Sequence, residues 1–365
     1  MDYTAIQLQL RQVDEAFSRS RINVYSDDKK KKHFEELHKL FLEISKLSLP
    51  ELSLADVEIH YNLLSLILNG LEYLDNSTLN VIPYELVSCL ELALDDWVQD
   101  KNFIIVTSLS NKHGDYKLSM EFNSETFLTT NNYIEDRYSL KITNRLIRIT
   151  LPKSLSRDYL SSAVLYHELG HFIDFEYNIS QKIFFKKYPP HQPVPSGVTN
   201  QIMQMEYRHS LEYFADLFAA QYVNQSTNYF LERITTPSRD GDSDTHPSTT
   251  KRLKVVSDFI AGNPVKVLDD FNEVLDSAGL PSLEIRHSNL TPETSDFKNL
   301  IPQKLNNPKD LHGIFKLAWD VWLNSETNFL KEFEEKQRYH IINNLVEKSI
   351  SIYTITEKWQ KYSPA

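Results

Sequence analysis

Apolar positions in the first part of the chain recur at helical spacing. Ile6, Leu10, Val13 and Phe17 fall at i, i+4, i+7 and i+11, one stripe of a helix. Leu37, Leu40, Phe41, Ile44 and Leu47 form a second stripe behind the basic run Lys29 to Lys32, which reads as a solvated helix start. Leu52 to Leu68 and Tyr84 to Trp97 predict two further helices. The period then changes from 3.6 to 2. Phe103 to Val106 reads as a short buried strand, and Tyr116, Leu118, Met120 and Phe122 alternate with polar residues after a turn at His113-Gly114-Asp115. Tyr138, Leu140 and Ile142 repeat the alternation, as do Ile147, Ile149 and Leu151. This pattern predicts a small, mostly antiparallel sheet with one wet face.

After Pro152 the helical period returns and holds nearly to the end. Two polar interruptions break it: Pro189, Pro190, Pro193 and Pro195 between two helices, and the stretch Thr235 to Thr245. Loops of that length are functional or mobile. Phe315, Trp319, Trp322, Phe329, Phe333, Ile341, Leu345 and Ile352 read as core stripes of terminal helices. The expected fold class is α+β and predominantly helical. A helical N-terminal region at 1–82 precedes a mixed domain at 83–262, and a helical C-terminal region covers 263–365.

Composition narrows the class. A net charge of −11, from 39 basic against 50 acidic residues, argues against nucleic acid as the partner. The single cysteine, Cys89, rules out an intrachain disulfide and fits a reducing compartment. No secretory signal opens the sequence and no apolar run reaches membrane-span length. A soluble, cytoplasmic protein is expected.

The chemistry concentrates in the helix after the sheet, which contains Tyr166-His167-Glu168-Leu169-Gly170-His171. His167 and His171, four residues apart, project from one face about 6 Å apart along the axis. Both imidazoles can then reach one metal at about 2.0–2.1 Å. Glu168 follows the first ligand, so its carboxylate can act as a base toward water at the metal. A third ligand must come from another segment. Asp174 lies on the same helix, and with Asp174 and Tyr177 where a metzincin needs Gly and His or Asp, that branch is excluded.

Met203 to Val223 is a long helix free of Gly and Pro, and it carries Glu212 and Asp216 at i and i+4. Ala215 and Ala219 keep it thin for close approach to the first helix. Glu212 can ligate the metal, or form an ion pair with Arg208. Asp216 can accept the free N–H of a ligand histidine and fix its tautomer. Glu206 is an alternative third ligand, off the Glu212 face. His246 either hydrogen-bonds the oxyanion of a tetrahedral intermediate or caps the helix near Pro247. Arg252 reads as a salt bridge holding this loop to the core. His209, Tyr213 and Tyr166 are lesser candidates for stabilising an oxyanion.

His167-Glu168-Leu169-Gly170-His171 followed by Glu212-x-x-Ala215-Asp216 resembles the gluzincin zinc metallopeptidases. His246-Pro247 with Arg252 is similar to a segment of the CAAX-type membrane endopeptidases and their soluble relatives. Phage-repressor-cleaving regulators resemble the chain equally well. The likeness covers roughly residues 100 to 262 and implies a zincin-like catalytic domain binding Zn2+ through His167, His171 and Glu212. It implies peptide-bond hydrolysis, with Glu168 as general base and a protein or peptide as substrate. The membrane members' prenyl-protein substrates do not carry over, since this chain lacks their spans. The strand Ile147 to Leu151 is expected to be an edge that pairs with an extended peptide, making Arg148 and Thr150 substrate contacts. Loops 181–198 and 233–246 are expected to gate the site. The competing reading is a silent zincin-fold binding or scaffolding module with a structural zinc, in which Glu168 would have no task.

Overall fold

A computed structural model describes residues 4–25, 27–48, 53–78, 84–98, 102–112, 116–120, 124–155, 157–193, 197–234 and 241–362. The turn expected at His113-Gly114-Asp115, Phe122, Pro195 and part of the 235–245 stretch lie outside the described residues. The fold is predominantly helical with one small sheet, the expected α+β class. It divides into two compact units that do not follow the linear division at 82 and 262. The first joins Met1–Val87 to Asp100–Ser156, and the second joins Ser88–Gln99 to Arg157–Ala365. Helices of the 1–82 region share a core with the sheet, whereas the helices after 263 pack with those that carry the histidines.

In the first unit, α1 (Thr4–Ser20), α2 (Asp28–Ser45) and α3 (Leu54–Asn76) bury the stripes their spacing predicts. Asp27 caps α2 by accepting from the Lys30 backbone, and Ser53 with Asp56 forms a capping box on α3. The basic run does open a helix, yet Lys30 is 1% exposed, with its Nζ 2.7 Å from Asp27. Only its neighbours are solvated.

The sheet is mixed. β1 (Phe103–Ser110) and β3 (Arg145–Pro152) run parallel, while β2 (Lys117–Met120) pairs antiparallel with β3, in the order β1-β3-β2. β3 is therefore central and has no open edge for a peptide. Arg148 donates from Nε to Ser119 Oγ at 3.1 Å and lies over the Tyr73 ring, and Thr150 Oγ1 meets Ser108 Oγ at 2.9 Å. β3 is buried along its length except at Arg148, so the expected wet face is missing too. The alternation at 138–142 is not a strand. α5 (Ser124–Tyr138) runs to Tyr138 and ends at Ser139 with φ of 53°. The Asn131 side chain then takes both backbone groups of Ile142, and Glu36 accepts from Thr143 N. Side chains do there what a neighbouring strand would do.

His33 on α2 is 1% exposed, and among the described residues neither ring nitrogen has a hydrogen-bond partner. Burial holds its pKa down from 6.5 to about 4. As pH falls from about 6.5 toward 4, the unfolded chain takes up a proton that the folded chain excludes, and stability is lost across that window. At pH 5 the loss is about 2 kcal/mol. His33→Leu is expected to shrink the drop in melting temperature between pH 7.5 and pH 5; an undiminished drop would show that another group governs it.

The second unit is built around a buried helix. α4 (Tyr84–Asp95) enters it from Ser88, followed in the chain by α6 (Val164–Tyr177), α7 (Ile179–Lys187) and α8 (Asn200–Val223). α9 (Ser226–Ile234), α10 (Thr249–Ile260) and α11 (Lys266–Ser277) come next, then α12 (Pro308–Leu323) and α13 (Glu335–Tyr362). From Phe214 to Val223 every residue of α8 is buried, the mark of a helix surrounded by others. Cys89 is in the core as its stripe predicts, and so are Phe315, Trp319 and Leu345. Ile352 is not: it is exposed, and α13 turns Val346, Ile350 and Tyr353 inward instead. Among the described residues no helix is long and apolar enough to cross a membrane.

Candidate metal centre

α6 and α8 meet where both have small residues. A Cβ added to Gly170 would lie 2.8 Å from Ala215 Cα and 3.0 Å from Phe218 Cβ, distances that real Cβ atoms avoid. The missing side chain therefore sets the separation of the two helices. Gly170→Ala gains about 1 kcal/mol of helix propensity but overpacks the contact by about 1–3 kcal/mol. Because the nearest atom is backbone, the upper end of that cost applies, and a net loss of about 2 kcal/mol is expected in denaturant unfolding. Unchanged stability would mean that the helices shift apart without cost.

That contact brings three donors together. Nε2 of His167 is 3.5 Å from Glu212 Oε2, and Nε2 of His171 is 3.5 Å from Glu212 Oε1. All three ligand atoms lie within 4.8 Å of one another. Two ligands at 2.0–2.1 Å from a tetrahedral ion stand about 3.3–3.4 Å apart, so the spacing suits such an ion with little movement. The imidazole ring centroids are 4.6 Å apart and the rings nearly perpendicular. Glu212 Oε2 is buried and makes no well-aligned hydrogen bond, with Arg252 Nη1 at 3.2 Å as its ionic neighbour. The group can hold a metal ion.

Behind the ligands lies a charged chain. Asp216, 1% exposed, approaches His167 Nδ1 with Oδ1 at 3.0 Å, although off the line of a well-aligned hydrogen bond. Arg252 on α10 donates to both Asp216 oxygens at 2.7 Å and sends Nη1 to within 3.2 Å of Glu212 Oε2. Burial opposes ionisation of Asp216, but Arg252 and His167 outweigh it and hold the carboxyl well below its usual range. Glu212 is likewise held down to about 2, its burial overcome by His167 and Arg252. Burial also works against a proton on His167, yet its contacts with Asp216 and Glu212 raise its pKa to about 9. The half-buried His171, desolvated and beside His167, falls to about 3. The two carboxylates thus create a field that attracts positive charge at this point.

The competing reading of Glu212, an ion pair with Arg208, is not seen among the described residues; Arg252 is its ionic partner. Glu206 is taken by Lys187 Nζ at 2.6 Å and Tyr188 Oη at 2.7 Å, away from the ligand group. Asp174 accepts from Ser180 N and Oγ and so fixes the corner between α6 and α7. Tyr166 points into the core, where its hydroxyl meets His312 Nδ1 at 2.9 Å, so it cannot touch an oxyanion. Glu168 is half-buried, 60° around α6 from His171.

His246 does not cap α10; Ser248 does, accepting from Lys251 N. Its exposed ring places Nε2 at 3.5 Å from Glu212 Oε1, with Nδ1 on Thr245 Oγ1 at 2.7 Å. The segment is tied down where His209 Nε2 meets Ser243 O at 2.8 Å. Of the two expected gating loops, 181–198 is helical up to Lys187, and 235–240 lies outside the described residues. Sequence reading missed Gly170 and the reach of Arg252 to Glu212. A glycine inside an apolar helix, in a chain with only 8, was the available signal for the first.

Protein-family models, curated proteins and solved structures were compared with the chain, and none matches.

Proposed function

We propose that the chain is a zinc-dependent peptidase of gluzincin type, with a zincin-like arrangement of α6 and α8. The observation that carries this reading is the convergence of His167, His171 and Glu212 beside Glu168 on α6. Two imidazole nitrogens, His167 giving up its proton on binding, and one carboxylate would suit zinc and leave a fourth position for substrate or water. Zinc held there would polarise a peptide carbonyl and acidify a water molecule.

The remaining chemistry belongs to the chain. Glu168 takes a proton from the incoming water as its oxygen bonds to the carbonyl carbon, then delivers that proton to the amine nitrogen as the C–N bond breaks. Asp216, clamped by Arg252, draws the N–H of His167 to Nδ1 and leaves Nε2 free as a donor. In this reading Thr245 Oγ1, 2.7 Å from His246 Nδ1, is the donor, so that the ring carries its proton on Nε2 and can hydrogen-bond the developing oxyanion. A structural zinc would have no need of Glu168, which favours catalysis over scaffolding.

The test is zinc stoichiometry together with unbiased cleavage of a proteome-derived peptide mixture, before and after chelation and zinc return. One zinc per chain with new termini that vanish and reappear is expected. A full complement of zinc with no new termini would reject the peptidase and promote the scaffold.

A further inference from the structure

Next to the ligand group, α7, α8 and the start of α11 enclose a pocket of about 300 Å³. It shares a wall with the candidate centre, because His209 and Tyr213 line it and flank Glu212 on α8. At its other side Ser180 both lines the pocket and holds Asp174, the residue three past His171. The size matches one large side chain with its flanking backbone, at the low end of ligand pockets.

The chemistry of the lining is specific. Phe184, Tyr188, Tyr207 and Tyr213 supply aromatic walls. Lys187 is paired with Glu206 at 2.6 Å, and Lys186 with Glu273 at 2.6 Å, so the nearby lysines are neutralised. Asp270 also lines the pocket and is half-buried, yet among the described residues nothing pairs with its carboxylate. Aromatic faces around one unmatched negative charge are complementary to a long cation whose stem is apolar.

We infer that this pocket is a side-chain subsite for a basic residue, arginine or lysine, of a peptide substrate, with Asp270 opposite its charge. Arginine fits better than lysine, since a planar guanidinium stacks on tyrosine while bonding a carboxylate. The inference rests on the peptidase reading for its substrate class, but the pocket can be tested without turnover.

Acetyl-arginine amide and acetyl-norleucine amide are titrated by NMR to roughly 10 mM against the zinc-loaded chain and Asp270→Asn. Binding of the arginine compound, at least about fivefold tighter than norleucine and weakened about tenfold or more by Asp270→Asn, is expected. Equal binding of the two, no binding, or indifference to Asp270→Asn overturns the assignment. In the peptide mixture, cleavage is expected next to basic residues, and Asp270→Lys should abolish that preference at unchanged zinc content. Cleavage without any basic preference overturns the pocket and leaves the peptidase standing. Arginine binding with no cleavage does the reverse.

Discussion

Glu168→Gln is expected to lower kcat on any cleaved peptide by about 10²- to 10⁴-fold, the usual contribution of a positioned general base. Glutamine has the same shape and can still hydrogen-bond a water, but it cannot take the proton. The carboxylate is outside the His167, His171 and Glu212 group, so zinc content should stay at the parent's value. KM should change little, because the loss is confined to the transition state. Zinc analysis and steady-state kinetics on one peptide decide it. Retained turnover would remove Glu168 from the mechanism, and loss of zinc would make it a ligand.

The candidate metal-holding group was legible because each residue carries a local signature: two histidines one turn apart, and a Glu and Asp one turn apart on a helix lacking Gly and Pro. The helical core was legible for the same reason, since a 3.6-residue stripe needs no knowledge of its partner. The sheet was harder. Alternation at Tyr138, Leu140 and Ile142 imitates a strand, but Asn131 supplies the hydrogen bonds that a neighbouring strand would. Strand order also stays hidden, because β3 as centre and β3 as edge present the same alternating sequence. The compact units escaped a linear reading because each is closed by a segment from elsewhere in the chain. Arg252 was read as an anchor, but the target of a salt bridge 36 residues away is a product of packing.

The largest stability effect is expected at that arginine. Arg252→Met removes both hydrogen bonds to Asp216 and leaves a carboxylate that is 1% exposed near the second one on Glu212. An uncompensated buried charge of this kind costs about 3–5 kcal/mol, more than the methionine regains by packing. Asp216→Leu alone leaves the buried Arg252 with only its Glu212 contact and should also be costly. The double variant Arg252→Met/Asp216→Leu removes both members of the buried pair and leaves Glu212 with the histidines alone, so it is expected to recover part of the loss. Urea unfolding of the four proteins gives the coupling energy directly. The double variant should nonetheless bind zinc about 10- to 100-fold more weakly, since His167 no longer has Asp216 to fix its ring. Recovered stability with weakened zinc separates the two roles of the pair, one electrostatic and one orienting. Additive losses in the cycle would mean that Asp216 and Arg252 act independently despite their contact.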